Sequence, residues 1–487
     1  MRSGIQELRS QALDLEDRPG YHRYHIETDT TLEVAPYPSR FRVRVGRVGL
    51  AKFLLREIVH TRFNRQIITS RPCLYGVFSG PIGGFAPRPK LCVGCLRCMT
   101  EYPDFVRVSH NPDRQLLGDT YFTPQYVDAV TYEAQTGKVP VKGAGYRGKF
   151  GGDGWDGMWT DMSEIVRPTR DGIHGREFIS TVVDLGEKPP YLLFDENHTP
   201  IGPTPNVLSL PLPMLFDVPP ASLMQESLLS VLVESASALD TLVVLPPSAL
   251  RKFDLHRSRI VPLVAPEDLP ALQDSLEQPR MIEMASWDEK LHKEIRTRFP
   301  GSILCVRLGF AAGYEEQLLR CVHAGVRVFH LVADFHGRNE NGDFAIELIQ
   351  RAHQTLVEAG WRDSVTLIGS GGIVAAEHVP KAIICGLDVV ALDTPVFVAL
   401  QVAMVGECAV QSASQFKAPK FTTQWGVQRV KNMMASWRDQ LLEVLGAMGL
   451  REVRRLRGEL GRAMFQNDLE REAFSGITGY QDAQADN

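Results

Sequence analysis

The sequence predicts an α/β protein built on a (β/α)8 barrel, and three observations carry that expectation. Over residues 207–410, short aliphatic and β-branched runs alternate with segments of helical periodicity. The runs number eight. Their span of about 200 residues is the size such a barrel takes. An open doubly wound sheet can be built from the same alternation, but the count and the span favour the barrel.

The eight strands are expected at 207–216 (VLSLPLPMLF), 241–246, 259–264 and 280–284, then at 303–308, 327–333, 365–370 and 388–393. Helical periodicity fills the intervals at 222–238, 267–277, 287–299, 314–324, 343–360, 375–385 and 396–407. In such a barrel the chemistry sits at the strand C-termini, and the loops after strands seven and eight commonly hold a phosphate. Strand seven here runs into Gly369-Ser370-Gly371-Gly372-Ile373 before a helix. Adjacent glycines let backbone N–H groups converge on an anion. Strand eight ends in Asp393-Thr394, a second set of donors. Together they point to a phosphate-bearing cofactor, of which flavin mononucleotide (FMN) is the usual one.

Five regions follow from the pattern: a basic segment at 1–70, a cysteine-bearing region at 71–115, a lead-in at 116–205, the barrel at 206–410, and a helical extension at 411–487 that packs on the barrel or on a partner subunit. A net charge of −5 gives no nucleic-acid signature, and no apolar run reaches the ~18–20 residues of a membrane-spanning helix. The opening residues lack the apolar core of a signal peptide, so the cytoplasm is the expected location. The basic run at 40–65 carries eight Arg and Lys residues against Glu57 alone. It is read as a solvated face or as a dock for an acidic electron carrier.

Three of the eight cysteines fall within seven residues, in LCVGCLRCMTEYPDF. Cys92-x2-Cys95-x2-Cys98 follows the ferredoxin ligand spacing, but Tyr102-Pro103 stands where a fourth cysteine should precede the proline. Cys73, on a glycine- and proline-rich stretch upstream, is the candidate fourth thiolate. The four would hold one 4Fe–4S cluster. A three-cysteine 3Fe–4S site, a four-thiolate zinc site and a vestigial, metal-free site are the alternatives. The paired x2 spacing favours iron over zinc. Cys305, Cys321 and Cys385 lie in apolar surroundings and are expected in the core.

Two further groups of residues are candidates for chemistry. The segment GGDGWDGMWTDMSEIVRPTRDGIHGRE packs Arg167, Arg170, His174 and Arg176 among aromatics and glycines, a pattern suited to clamping a carboxylate or neutralising a phosphate. Equally, these residues can pair with the acids around them. At the strand-six mouth, Asp334 and His336 are the candidate proton donors to a C=N or C=O group under reduction, with His330 read as a core histidine.

Residues 365–408 (VTLIGSGGIVAAEHVPKAIICGLDVVALDTPVFVALQVAMVGEC) and 158–186 (MWTDMSEIVRPTRDGIHGREFISTVVDLG) resemble the FMN-binding synthase domain of the glutamate synthase family and its lead-in. The resemblance covers roughly residues 140–480. It implies a barrel with FMN, a neighbouring iron–sulfur cluster, and reduction of 2-iminoglutarate to glutamate with electrons from a ferredoxin-like or other donor. Ser370, Gly371, Gly372 and Ile373 would then hold the FMN phosphate with Asp393 and Thr394, while Pro213, Met214 and Leu215 lie beside the ring. The family's flavin- and substrate-contacting lysine is here Arg307, which keeps the charge but cannot donate a proton near neutrality. DFHGR replaces the family's DGGTG, and no cysteine follows Cys408, where the family places cluster ligands. Two functions are therefore expected: a flavin and iron–sulfur oxidoreductase acting on an imino or oxo acid, or an electron-transfer or structural subunit with no turnover of its own.

Overall fold

The computed structural model describes residues 24–478, apart from 36, 61, 63, 65–72, 74, 79–86, 141–150, 162–177, 189–192, 202–205, 254–258, 269 and 271–278. The chain divides into two units: residues 33–124, and a larger unit comprising the rest.

In the larger unit eight parallel strands close a barrel in chain order. They are β1 (Met214–Phe216), β2 (Val243–Leu245), β3 (Ile260–Val264), β4 (Met281–Met284), β5 (Ile303–Gly309), β6 (Val328–Val332), β7 (Thr366–Ser370) and β8 (Val389–Leu392). All eight fall on the expected runs. The first run is two strands, however. Val207–Leu210 pairs antiparallel with Val183–Gly186 outside the barrel, and only Met214–Phe216 joins it. Pro211 and Pro213 separate them, since neither can donate to a ladder.

The connecting helices are α1 (Glu226–Ala238), α2 (Pro247–Lys252), α3 (Glu289–Arg298), α4 (Tyr314–His323), α5 (Ala345–Glu358), α6 (His378–Ile384) and α7 (Thr394–Ala399). Local chemistry sets their ends. Asp288 accepts the Leu291 N–H (2.7 Å) at the start of α3, and Arg296 and Arg298 lie in its last turn. The helix expected at 396–407 is shorter: α7 stops at Ala399, and Ala403–Val405 is a strand paired with Gln415–Lys417. After β3 the described residues hold a short 3-10 turn, Pro266–Asp268, and most of the expected 267–277 helix lies outside them. The C-terminal extension packs α8 (Thr423–Ala447) on α1 so closely that a Cβ at Gly426 would meet Val231 Cγ2 at 2.5 Å.

Strand register sorts the side chains. Arg307 pairs with His330, His330 with Ile368, and Val332 with Ser370. Ser370 pairs with Ala391, and Ala391 with Leu215. With a side-chain period of two, Leu215, Asp217, Glu283, Cys305, Arg307, His330 and Ser370 share the interior face, while Met214 faces the helices. Cys305, Cys321 and Cys385 are fully buried, as expected. At the opposite end of β7 and β8, the buried Arg362 bonds Val365 O (2.7 Å), Gly386 O (2.7 Å), Asp388 Oδ2 (2.8 Å) and His353 Nδ1 (2.9 Å).

In the unit 33–124, Phe41–Val45 runs antiparallel to Val106–His110. The basic run is thereby resolved. Phe41 and Val43 face in, Arg42 and Arg44 face out, and Arg42 reaches Asn111 Oδ1 and Asp113 Oδ2 (2.9 Å each). Arg47, Lys52 and Arg56 of the same run lie on a helix, Arg47–His60. From Glu33 onward the basic segment falls in the same compact unit as the cysteine region, while residues 1–32 belong to the larger unit. Among the described residues no helix is long and apolar enough to cross a membrane.

Candidate functional site

The barrel interior holds a buried charged set. Arg307 Nε donates to Glu283 Oε1 (2.6 Å), and its Nη2 donates to Asp217 Oδ1. Asp217, directly after β1, also accepts the Val218 N–H (2.7 Å). His330 Nδ1 lies 2.9 Å from Glu283 Oε1 and 3.3 Å from Arg307 Nη2. Its Nε2 is 3.9 Å from Asp217 Oδ2. Burial opposes ionisation of Asp217 and Glu283, yet the Arg307 guanidinium prevails and holds both carboxyls below their ordinary range. Asp393, at the end of β8, is pushed up to about 7 by burial and by the neighbouring Asp217. It accepts the backbone N–H and, at 2.9 Å, the hydroxyl of Thr394.

Among the site positions the sequence singled out, Arg307, Asp393, Leu215 and Ser370 come to the interior face. Asp334 does not join the charged set. Its Oδ1 accepts the N–H of His336 (2.9 Å) and of Arg338 (2.8 Å), capping a turn in which His336 is half-buried. His330, read as a core histidine, is the member of strand six that meets Arg307 (3.3 Å). Pro213 O accepts the Val390 N–H (2.9 Å), and Met214 O accepts the Thr241 hydroxyl (2.6 Å). Arg167, Arg170, His174 and Arg176 lie outside the described residues. Sequence reasoning missed Asp217 and Glu283. The available signal was an acid inside an apolar strand, MIEM, and another directly after MLF.

The glycine loop at the end of β7 is a close-packed cradle. Gly371 has φ +101°, and a Cβ there would stand 2.4 Å from Asp334 O. A Cβ at Gly337 would stand 3.1 Å from Gly372 Cα, and the Gly372 N–H donates to Phe335 O (3.2 Å). Ile373 is buried, and the Ser370 hydroxyl is buried without a partner, an orphan that a phosphate oxygen would satisfy. The following backbone is pinned from the lead-in. The Val374 N–H donates to His378 Nδ1 (3.2 Å), and His378 Nε2 faces Asp156 Oδ1 (3.4 Å). Lys381 Nζ donates to Trp155 O (2.8 Å). An anion cradle therefore fits the loop, with one of its N–H groups already engaged.

In the other unit, Cys73, Cys92, Cys95 and Cys98 line one pocket of ≈ 350 Å³ with Val43, Val77, Phe78 and Val108. A turn closed by Gly76 N–H to Cys73 O (3.3 Å) and the Arg88 N–H to Val77 O bond (2.8 Å) fold the upstream stretch back on the triplet. Leu96, at φ +60°, turns the chain into the short helix Arg97–Glu101 that carries Cys98. Cys98 is buried and Cys95 exposed. Tyr102, in the place of the missing cysteine, instead packs in the small core beside Phe105, with ring centroids 5.1 Å apart. Burial and the surrounding thiols raise the Cys92 and Cys98 thiols above their ordinary value, so thiolates there call for a cation.

Residues 338–451 match the family described as a conserved region in glutamate synthase. An archaeal-type glutamate synthase (NADPH) of Dehalococcoides mccartyi is 22% identical over 446 residues, 76% of this chain and 86% of that protein. The archaeal glutamate synthase (NADPH) of Methanocaldococcus jannaschii is 33% identical over 123 residues, 23% and 24% of the two chains. Over these stretches the chain is similar to glutamate synthases. Among solved structures, an IMP dehydrogenase/GMP reductase-like protein from Corynebacterium glutamicum superposes with a TM-score of 0.41 at 12% identity, covering 64% of this chain and 94% of that one. A mandelate oxidase with an FMN adduct gives 0.37 at 14% identity, covering 57% and 87%. The barrel itself rests on the closed strand order of this chain.

Proposed function

We propose that the chain is a flavin- and iron–sulfur-dependent oxidoreductase of glutamate synthase type, acting on the C=N or C=O carbon of a small imino or oxo acid with electrons from a ferredoxin-like donor. The observation that carries this reading is the convergence of four thiols, from two separated stretches, on one pocket of a chain that also holds a barrel with a phosphate cradle.

Cys73, Cys92, Cys95 and Cys98 would hold one 4Fe–4S cluster, which supplies single-electron transfer. Zinc is the poorer fit. Its four-thiolate sites usually come as two separated Cys pairs, whereas Cys92, Cys95 and Cys98 fall in one x2-x2 run. Ser370, Gly371, Gly372 and Ile373, with Thr394, would hold the phosphate of FMN, which couples one-electron and two-electron chemistry.

The chain's own residues do the rest. Arg307, fixed by Glu283 and Asp217, orders the interior as a dry polar floor. Asp393, with a carboxyl poised near neutrality, is better placed than Asp334 or His336 to hold and deliver a proton. A second reading, an electron-transfer subunit without turnover, draws on one observation: the Arg307 guanidinium is already engaged by two carboxylates.

Absorbance, iron and acid-labile sulfide of the purified protein test the proposal. Flavin bands with a broad iron–sulfur shoulder are expected, and Cys73→Ser should lose iron and sulfide together while keeping flavin. A colourless protein after anaerobic purification would sink the reading. A coloured one, whose reduced form no imino or oxo acid reoxidises, would favour the second.

A further inference from the structure

The loop after β7 is tied down through two of its own N–H groups. Gly372 donates to Phe335 O (3.2 Å), and Val374 donates to the ring of His378 (Nδ1, 3.2 Å). The N–H groups of Gly371 and Ile373, between and beside them, donate to no described residue. Gly371 and Gly372, at φ +101° and +71°, are conformationally permissive and give the loop no rigidity of their own. A peptide unit is planar, so the Val374 bond fixes the whole Ile373–Val374 peptide directly after them. His378 can make that bond in one tautomer only. A backbone N–H donates and never accepts, so Nδ1 presents its lone pair and the ring proton sits on Nε2. Nε2 faces Asp156 Oδ1 (3.4 Å), and Asp156 Oδ2 accepts the Tyr126 hydroxyl. Burial works to raise the Asp156 carboxyl, yet its His378 and Tyr126 bonds hold it down at about 2, so it is ionised and only accepts. Burial also lowers the His378 imidazole, which favours the neutral ring. A donor on one side and an acceptor on the other therefore set the same tautomer. The buried ring is held in place by Tyr126, edge-on at 5.8 Å between centroids, and by Trp155 at 6.3 Å. Asp156, Glu377 and His378 bring three ligand atoms within 4.8 Å of one another, but a metal needs a ring lone pair, and that of Nδ1 is spent on Val374.

We infer that His378 is a positioning residue for the cofactor: through Val374 it holds the loop after β7 in the shape that receives a phosphate, and Asp156 sets the tautomer that lets it do so. The inference deepens the proposed function and rests on its placing of the FMN phosphate at this loop. It gives the lead-in a task in cofactor binding, exerted from 222 positions away in the chain. A contact that only stabilises the fold would serve a flavin with or without its phosphate equally. A contact that shapes the loop matters only where a phosphate is read.

The test is a pair of titrations on the full-length protein after dialysis against concentrated bromide to strip flavin: FMN against riboflavin, which lacks the phosphate, each followed by quenching of flavin fluorescence. The wild type should bind FMN the more tightly, and the ratio of the two affinities reads the loop. His378→Asn puts an amide oxygen in the place of Nδ1 and should keep the ratio within about twofold. His378→Gln puts its amide in the place of Nε2 instead. It should weaken FMN about tenfold and leave riboflavin unchanged, the size of one lost hydrogen bond. Asp156→Asn is isosteric. With its oxygen taken by the Tyr126 hydroxyl, its amide nitrogen faces Nε2 and drives the ring proton to Nδ1, against the Val374 N–H, so the ratio should fall as in His378→Gln. Equal ratios in the two His378 variants, an unmoved ratio in Asp156→Asn, or riboflavin weakened as much as FMN would each overturn the inference. If His378→Gln does not fold, Asp156→Asn decides it. A wild type that binds both flavins equally, or neither, would overturn the phosphate reading and this inference with it. Tighter FMN binding by the wild type, with unmoved ratios in the variants, would overturn the role of His378 alone.

Discussion

Replacing Arg307 by methionine removes the guanidinium that Asp217 and Glu283 share while keeping an unbranched side chain in the barrel. Arg307 is 12% exposed, Asp217 7% and Glu283 0%, so solvent screens the loss little. Deleting one partner of such a buried set costs about 3–5 kcal/mol. The larger unit has roughly 400 residues and an unfolding entropy of ~0.8 kcal/mol/K, so the melting temperature should fall by about 4–6 °C. The sign of the pH dependence should also reverse. In the wild type the two carboxyls are held below their ordinary values of 3.8 and 4.5; their contribution is complete above those values and is lost as pH falls through the depressed ones. Without Arg307 the strongest influence against burial is lost, only His330 and, at Asp217, the Val218 N–H still oppose it, and both carboxyls are expected to rise. Their contribution is then complete at low pH and is lost as pH climbs through the raised values. Thermal melts at pH 5 and pH 8 read this directly, with a wider gap between variant and wild type expected at pH 8. A gap that is constant, or widest at pH 5, would refute the argument that Arg307 neutralises the floor.

Three further outcomes follow from the geometry. Gly371→Ala should cost about 2–4 kcal/mol, from a left-handed backbone and a Cβ driven into Asp334 O, and should lower bound flavin more than bound iron, measured in the same sample. Asp393→Asn should stabilise the protein more at pH 8 than at pH 5, because a carboxyl raised to about 7 contributes fully only at low pH and loses that contribution as pH rises through 7; denaturant midpoints at the two values check it. Arg362→Lys keeps the charge but not the forked bonds to Val365 O, Gly386 O and Asp388, and should cost about 1–3 kcal/mol with no change in cofactor content.

Period and position made much of this molecule legible in its sequence. Buried parallel strands are near-continuous apolar runs, so all eight were visible. The loop after β7 stood out because glycines in series have few other uses. The run 207–216 read as a single strand because composition does not show which side of Pro211 and Pro213 finds a ladder partner. Asp217 and Glu283 stayed hidden for a related reason: an acid in an apolar strand looks like an interruption until the closed barrel supplies Arg307 from the opposite wall. Asp334 and His336 drew attention as polar groups at a strand mouth, but a short-range hydrogen-bonded turn uses the Asp334 carboxylate first. Cys73 lines the same pocket as Cys92, Cys95 and Cys98, a proximity that the glycines and prolines between them suggested in the sequence.

The thiol pocket has a consequence for how the protein matures. Cys73, Cys92, Cys95 and Cys98 all belong to the unit 33–124, which has a core of its own in Val43, Val77, Phe78 and Val106. During synthesis every one of these ligands leaves the ribosome before Met214, where the first barrel strand begins, and domains generally fold as units from the N-terminus. If the pocket holds the proposed cluster, metal delivery and barrel closure are separable events on a nascent chain. On that proposal a cell short of iron would accumulate chains with a finished barrel and an unfilled pocket, rather than chains that fail to fold.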